Sequence, residues 1–533
     1  MSKKFDYIII GAGSAGCVIA NKLSANTKYN VLLIEAGGSD KKFWIRTPIG
    51  YAFTYNDARV NWKYNTQPDK NLNNRSSYWP RGKVIGGSSS INAMAYFRGL
   101  ENDFSDWEKA GAEGWGWKNV LASYNALENH ISKKENYGNG PICVSDLSEQ
   151  MHPFSKHFMA AARELNWPKP NNTAISSEGL GYVHNTTRNG KRFSSADAFL
   201  HPAKKRKNLH IIKNAIVEKL IINNSQSDGI IYEVNNVKKC AYANKEIILS
   251  AGAIGSPQLL QLSGIGPEEI LKKAGVKLVH HLPEVGQGLQ DHLAITKYFM
   301  TNERTLNSDI GNFVGKVTAG LRYLLTKSGP LSIPVNQTSG FVRSSVKSIV
   351  PDLQIYANPI IYSTNNNGKT YVGKKSGFLL SAQPSRFSSR GSINIQSSDV
   401  NIPPLINPNS LHTKYDKLMA IKACQMIQTI AATKAMESVT KKACDPNFSK
   451  FDNDALLNNF RELASTVYHP CCTCRMGLSP SDSVINSRLQ VHGIKKLRVV
   501  DASSFPNITS GNINAPTMML AYRASDIILE DNL

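Results

Sequence analysis

Apolar positions at the start of the chain follow two different periods. Tyr7, Ile8, Ile9 and Ile10 form an unbroken, mostly β-branched run, the pattern of a short strand buried on both faces of a parallel sheet. Past Gly11, Gly13 and Gly16 the spacing changes, and Val18, Ile19 and Leu23 share one face of a helix. Residues 30–34 (NVLLI) return to the first pattern and predict a second strand, which ends at Glu35. The chain therefore opens as strand, glycine turn, helix, strand.

The three glycines have a mechanical use in that setting. They permit the tight turn, let the backbone approach a pyrophosphate and allow the helix to pack on the strand, so that phosphates meet the positive end of the helix. Glu35 stands twenty-four positions after Gly11, where a carboxylate accepts hydrogen bonds from ribose hydroxyls and repels a 2′-phosphate. With Ala20 the run is GxGxxGxxxA. GxGxxG alone also marks plain turns, but the flanking strand, helix and acid select dinucleotide binding. Ser14, Ala15 and Ala36 are expected at the same site.

The middle of the chain is less periodic and shows no fixed repeat. Residues 156–204 and 296–464 carry mixed patterns without phosphate-binding signals and are expected to form a cap over the nucleotide unit. A 533-residue chain that is 41% hydrophobic and 8% aromatic can bury a large core, which excludes disordered and fibrous classes and predicts more than one domain. Eight cysteines are too few for a disulfide scaffold of this length and suit a reducing, cytoplasmic setting. The start, MSKKFDYIII, lacks the apolar core of a secretory signal, and no run of about 18 apolar residues predicts a membrane span.

Lys and Arg number 62 against 40 Asp and Glu, a net charge of +22. Such an excess fits nucleic acid, an anionic membrane surface, or a polyanionic cofactor or substrate. The basic residues are scattered in pairs such as Lys238-Lys239 and Lys374-Lys375, with one run from Lys204 to Lys207, and no nucleic-acid motif accompanies them. No nucleic-acid partner is expected, while a peripheral membrane contact stays open.

Longer motifs narrow the reading. They are RGKVIGGSSSINAMAYFRG at 81–99, GAIGSPQLLQLSGIG at 252–266, VGQGLQDHL at 285–293, YHPCCTCRMG at 468–477 and LRVVDASSFPNITSGNINAPTMM at 497–519. In this order they resemble the glucose-methanol-choline (GMC) oxidoreductases, FAD-dependent enzymes that oxidise alcohols, and most of all the choline dehydrogenase-like alcohol dehydrogenases. The resemblance implies an α/β fold, with a Rossmann-like FAD-binding domain and an α+β substrate-binding domain built on an antiparallel sheet. The FAD-binding domain would take residues 1–155, 205–295 and 465–533, and the substrate domain residues 156–204 and 296–464.

Gly87 and Ser88 offer free N–H groups and little bulk, suited to lie against phosphate and a flat ring. By resemblance Asn92, Met94 and Ala95 line the flavin ring, Val217 touches adenine, Asp501 and Ala502 form a second flavin-contacting turn, and Thr517 joins them. Alcohol oxidation needs a proton acceptor at the hydroxyl and a carbon held over flavin N5. His469 matches the first active-site histidine of the family and is expected as base or charge-stabilising donor. Asn514, forty-five positions later, matches the second active-site position and is expected to hold the substrate oxygen. His292 is expected to buttress the flavin site rather than react.

Cys471, Cys472 and Cys474 follow a C-C-x-C spacing without the second pair of a structural zinc site, so no metal is expected. Ile91 stands where some family members carry the histidine that binds FAD covalently, which predicts non-covalent FAD. Gln337 falls where choline-oxidising relatives carry a glutamate. A neutral amide does not offset a trimethylammonium charge, so choline is in doubt, although Tyr356, Tyr362 and Tyr468 would supply aromatic faces. The implied activity is oxidation of a primary alcohol to its aldehyde, with electrons passed to a quinone, another carrier or oxygen. Alternatives are an oxygen-using oxidase, a lyase or decarboxylase on the same fold, and, more remotely, a binder of anionic surfaces or nucleic acid.

Overall fold

Parallel strand pairing around Lys3–Ile10 organises the first half of the fold in the computed structural model, which describes residues 3–132, 136–170, 172–365 and 369–532. This strand pairs in parallel with Val31–Ile34 on one side and with Val237–Leu249 on the other. Leu209–Ile212 continues the sheet beyond Val31–Ile34, and Leu497–Val499 pairs in parallel with the end of Val237–Leu249. Tyr7, Ile8, Ile9, Leu32, Leu33, Ile247 and Ile248 are fully buried, which is why these runs are uniformly apolar instead of alternating. Ala215–Asn223 and Gln226–Val234 complete the seven-stranded sheet as an antiparallel meander running into Val237–Leu249. Helix Ser14–Ser24 packs against the last helix, Asn514–Asp531.

A second, six-stranded sheet is antiparallel throughout. Thr338–Val342, Leu353–Asn358, Gly377–Pro384 and Leu293–Met300 run in that order, and Lys442–Ala443 and Ser465–Thr466 both pair with Leu293–Met300. Its core joins Leu293, Ile295, Phe299, Ile355 and Phe378 to Met419, Ala423 and Ile427 of helix Lys414–Ala431. The fold is thus the expected pairing of a doubly wound α/β unit with an antiparallel α+β unit.

Three edges fall elsewhere than the sequence pattern suggests. Leu293–Met300 starts before residue 296, and Ser465–Thr466 pairs with it, so both belong to the antiparallel sheet. Phe154, just before the expected edge at 155, joins Phe158 in the core of that sheet. Ala196–Leu200 and His201–Ala203, expected in the cap, bury Ala198, Phe199 and Leu200 in the first core, beside helix Ser14–Ser24. Apolar side chains decide which core residues 154, 196–203 and 293–300 join, whereas Ser465–Thr466 joins by backbone pairing.

Arg498 locks the end of the first sheet. Fully buried, it donates from Nε and Nη2 to the two carboxylate oxygens of Glu246 (2.6 and 2.8 Å) and from Nη2 to Asp531 Oδ2 (2.8 Å). It therefore joins strand Leu497–Val499, strand Val237–Leu249 and the end of the last helix. Removing one partner of a buried ion pair leaves the other uncompensated, at a cost of about 3–5 kcal/mol. Arg498→Ala should lower the thermal midpoint of the holoprotein markedly, whereas an exposed control, Arg59→Ala, should leave it unchanged; equal midpoints for the two variants would contradict the role given to Arg498.

Candidate active site

A cavity of about 1740 Å³ runs between the two sheets, well above the roughly 300–1,000 Å³ of an ordinary small-molecule site. Its first end is built by the opening strand, turn and helix. Gly11, Gly13, Ser14 and Ala15 line it where helix Ser14–Ser24 presents its N-terminal N–H groups. Gly16 lies outside the lining and serves packing instead, since a Cβ there would sit 1.9 Å from the carbonyl oxygen of Gly11. Glu35 closes this end beside Ala36. Its two oxygens accept from the backbone N–H of Ala12 and of Gly37, each at 2.8 Å, and burial pushes its carboxyl up to about 7.

Further along, Gly87, Ser88, Asn92, Met94, Ala95, Val217, Asp501, Ala502 and Thr517 all line the same cavity. Gly87 approaches Gly13 so closely that an added Cβ would meet its Cα at 2.6 Å. Asp501 accepts from the backbone N–H of Gly252 (2.9 Å) and the hydroxyl of Ser256 (2.6 Å), which holds the turn into helix Gly252–Leu262. Met94 adopts a left-handed φ of 61°, and Asn92 Oδ1 accepts from its backbone N–H (3.0 Å) and from Nη1 of the buried Arg192 (2.7 Å). A glycine cradle, a helix N-terminus and a carboxylate at a strand end, continuous with a chamber large enough for a second molecule, fit a bound FAD.

The far end centres on His469. Residues 290–294 and 465–471 run antiparallel, with Gln290 opposite Cys471 and Leu293 opposite Thr466. Asp291 accepts the His469 backbone N–H at 2.7 Å and the Thr466 hydroxyl, and burial pushes its carboxyl up to about 6. His292 Nδ1 lies 3.0 Å from His469 Nδ1, while His292 Nε2 lies 2.9 Å from the Ser385 carbonyl oxygen. A carbonyl only accepts, so His292 Nε2 carries its proton and its Nδ1 accepts from His469. That tautomer leaves His469 Nε2 with a lone pair facing the cavity. Burial lowers His292 to about 4, and burial, followed by His292 and Arg81, holds His469 well below the usual histidine value.

His469 Nε2 receives the side-chain amide of Asn512 at 3.1 Å, and Asn512 Oδ1 in turn accepts from the Tyr356 hydroxyl at 2.6 Å. Asn514 is the residue expected at the second position, but the structure pairs His469 with Asn512. Asn514, the first residue of the last helix, accepts from the Ser14 hydroxyl at 2.7 Å and so ties that helix to the glycine turn. The repeated asparagine in GNIN hid which of the two faces the histidine. His292, expected to support the flavin, supports His469 directly. Arg192 was missed because nothing local in the sequence marks it.

Gln337 is fully buried but lies outside the cavity lining, its Oε1 accepting the His152 backbone N–H at 2.8 Å; its neighbour Asn336 faces the cavity. The wall near His469 is tyrosine-rich: Tyr468 meets Tyr55 with ring centroids 5.5 Å apart, Tyr55 meets Tyr51 at 5.6 Å, and Tyr298 meets Tyr362 at 6.1 Å. The sulfurs of Cys471 and Cys472 lie 3.3 Å apart in the core, and Cys472 also donates to Gln290 Oε1 at 3.4 Å. Asp40, Asp197 and His201 form a separate cluster, where Arg46 already pairs with both carboxylates.

Two GMC oxidoreductase family models match the chain, the N-terminal one over residues 5–294 and the C-terminal one over residues 388–521. An alcohol dehydrogenase [acceptor] of Pseudomonas putida is 41% identical over 98% of this chain and 96% of its own length. An oxygen-dependent choline dehydrogenase of Photobacterium profundum is 38% identical over 99% of this chain and 94% of its own. Among solved structures, pyridoxine 4-oxidase from Mesorbium loti superposes with a TM-score of 0.88 at 27% identity, covering 98% of both chains. These likenesses identify an FAD-dependent oxidoreductase acting on CH–OH donors. Ile91 at the edge of the cavity offers no group for a covalent link, so acid precipitation should release all of the flavin to the supernatant; yellow colour retained in the washed pellet would contradict this.

Proposed function

The chain belongs to the GMC oxidoreductase family, and from that premise we propose that it oxidises an uncharged primary alcohol to the aldehyde, with His469 taking the hydroxyl proton. The observation that carries this is the chain of hydrogen bonds from the Ser385 carbonyl through His292, His469 and Asn512 to Tyr356. FAD supplies the hydride acceptor when bound along the cavity. Its pyrophosphate would rest on residues 11–15, its ribose hydroxyls on Glu35, and its ring against Gly87, Ser88 and residues 92–95.

The substrate hydroxyl takes the place of the Asn512 amide at His469 Nε2. Asn512 turns its amide N–H groups to the substrate oxygen, with Oδ1 still held by Tyr356. As the proton moves to Nε2, His469 becomes an imidazolium whose Nδ1–H remains donated to His292 Nδ1. His292 is thus a positioning residue: it fixes the tautomer of the base and solvates its charged form.

An uncharged substrate is favoured because the cavity carboxylates are already engaged. Glu35 holds two backbone N–H groups, Asp501 holds the Gly252 turn, and Asp445 pairs with Lys297 at 2.7 Å. Choline is the second reading, supported by the tyrosine wall and by the choline dehydrogenase relative. Electrons pass to a quinone, another carrier or oxygen. We place the protein in the cytoplasm, in line with its eight free thiols, with a peripheral contact to a membrane.

His469→Ala should retain FAD but slow anaerobic flavin reduction by a primary alcohol about 10²–10⁴-fold. Asn512→Ala should slow it about tenfold or more, the loss of a hydrogen bond worth roughly 1.4 kcal/mol. Asn514→Ala should act on flavin retention instead. A greater loss of reduction rate in Asn514→Ala at full flavin occupancy would return the role to Asn514. A panel of straight-chain alcohols against choline separates the two substrate readings.

The base must be neutral to act, and its folded value lies well below the ordinary 6.5. kcat/KM should therefore stay level as pH falls through 6.5, with the acidic limb appearing only below it. A loss of activity centred at or above that value would contradict His469 as the buried base.

A further inference from the structure

The mouth of the cavity carries an apolar face that none of the described residues covers. Helix Phe313–Thr326 buries only Ala319 and Tyr323 among its fourteen residues. Phe313, Val314, Leu321 and Leu325 are 80, 72, 55 and 83% exposed, and Val317 and Leu324 extend the same stripe. Phe43 packs edge-on to Tyr323 of this helix, and Trp44, next to Phe43, stacks on Phe53 with ring centroids 4.1 Å apart. All three aromatic residues are more than a third exposed and line the cavity, as do Lys316 and Leu324 of the helix. Aromatic and aliphatic side chains of this size, gathered on one face, mark an interaction site rather than the scattered apolar residues of an ordinary surface.

The charges around the face select its partner. On the helix, Lys316 and Lys327 border the apolar stripe on one side and Arg322 on the other, and no acidic residue occurs between 313 and 327. Lys41 and Lys42 precede Phe43. An apolar stripe fringed by cations on both sides, lying along the surface, has the composition of a helix that rests in a lipid interface. A membrane span is not involved, because among the described residues no helix is long and apolar enough to cross a bilayer.

We infer that the face formed by helix Phe313–Thr326 and residues 43–53 docks on an anionic lipid bilayer, with the cavity mouth turned towards the membrane. Burial of the stripe supplies the apolar part of the affinity, and Lys316, Arg322 and Lys327 supply attraction to anionic headgroups. Docked in this way, the cavity exchanges apolar molecules with the bilayer rather than with water. This deepens the proposed function, because an uncharged alcohol and a lipid-dissolved quinone would both reach the site by the same route. Docking itself needs no turnover, so it stands or falls separately from the alcohol chemistry.

The test is cosedimentation of the purified holoprotein with sucrose-loaded vesicles of phosphatidylglycerol and phosphatidylcholine, compared with vesicles of phosphatidylcholine alone. Wild type should pellet with the anionic vesicles at low salt and be partly released at high salt. Val314→Glu/Leu325→Glu, both exposed and away from the cavity lining, should reduce the bound fraction at least tenfold. The same variant should keep its FAD and its activity on a water-soluble alcohol with a soluble dye acceptor. Arg322→Glu/Lys327→Glu should remove the preference for anionic vesicles. The inference is overturned if wild type stays in the supernatant, or if the Val314→Glu/Leu325→Glu variant pellets like wild type. It is also overturned if light scattering finds a wild-type dimer that this variant converts to monomer, since a second copy would then cover the face. Loss of alcohol activity with vesicle binding intact would count against the alcohol reading instead.

Discussion

The hydrogen bond between Nδ1 of His292 and Nδ1 of His469 sets the direction of the polar contacts around it, because both imidazoles are buried and neither holds a charge at neutral pH. Two neutral rings facing each other through the same nitrogen must have opposite tautomers. The Ser385 carbonyl breaks the tie by requiring a proton on His292 Nε2. Everything after that is forced: His469 donates from Nδ1, its Nε2 is an acceptor, and Asn512 must present its amide N–H groups because Tyr356 occupies its oxygen. The geometry is maintained at a cost. Tyr468 and Cys472 adopt left-handed φ values of 68° and 71°, conformations that cost about 1–2 kcal/mol each for residues with a side chain. Asp291 on the His469 N–H and the pairing of Gln290 with Cys471 offset that strain.

The cofactor end depends on a different constraint, the close approach of backbone to backbone. Gly16 presses on Gly11, and Gly87 on Gly13, at distances that leave no room for a Cβ. The two ends are coupled by one short segment. Asn512 reaches His469 and Asn514 reaches Ser14, so the entry to the last helix spans from the reacting histidine to the glycine turn. A displacement of that helix therefore moves the partner of His469 and the dinucleotide cradle together.

Local pattern sufficed for the nucleotide unit because its signals are local: an apolar run, three glycines, a helical face and an acid within about thirty residues. The same is true of GGSS at 86–89 and of the LQDH and YHPCC motifs. Their mutual relation was not legible, since antiparallel pairing of 290–294 with 465–471 joins segments some 175 residues apart. Side-chain direction was the other gap. Asn512 and Asn514 are both plausible in the pattern GNINAP, and only the start of the helix decides which way each points. Gln337 is expected where choline-oxidising relatives carry a glutamate, yet its amide oxygen turns to His152 while Asn336 faces the cavity. Domain edges shifted for the same reason: residues 196–203 look like cap by position, but Ala198, Phe199 and Leu200 bury in the first core.

The surplus of +22 acquires a more specific meaning from the distribution of individual charges. Several cations are structural. Arg498 binds Glu246 and Asp531, Arg192 orients Asn92, and Arg206 of the basic run donates to Ser24 at the end of helix Ser14–Ser24. Their side chains are occupied by contacts within the fold, and the charge of Arg498 is compensated by two carboxylates. The lysines and arginine around helix Phe313–Thr326 differ, because they stand beside exposed leucine, valine and phenylalanine rather than beside carboxylates. Charge alone attracts many polyanions weakly and without orientation. Apolar stripe and cationic fringe together discriminate: nucleic acid satisfies the cations but leaves the stripe in water, whereas a lipid interface satisfies both. The tyrosine-rich cavity behind that face suits the same solvent, since a permanently charged alcohol partitions into water and an uncharged one into the bilayer.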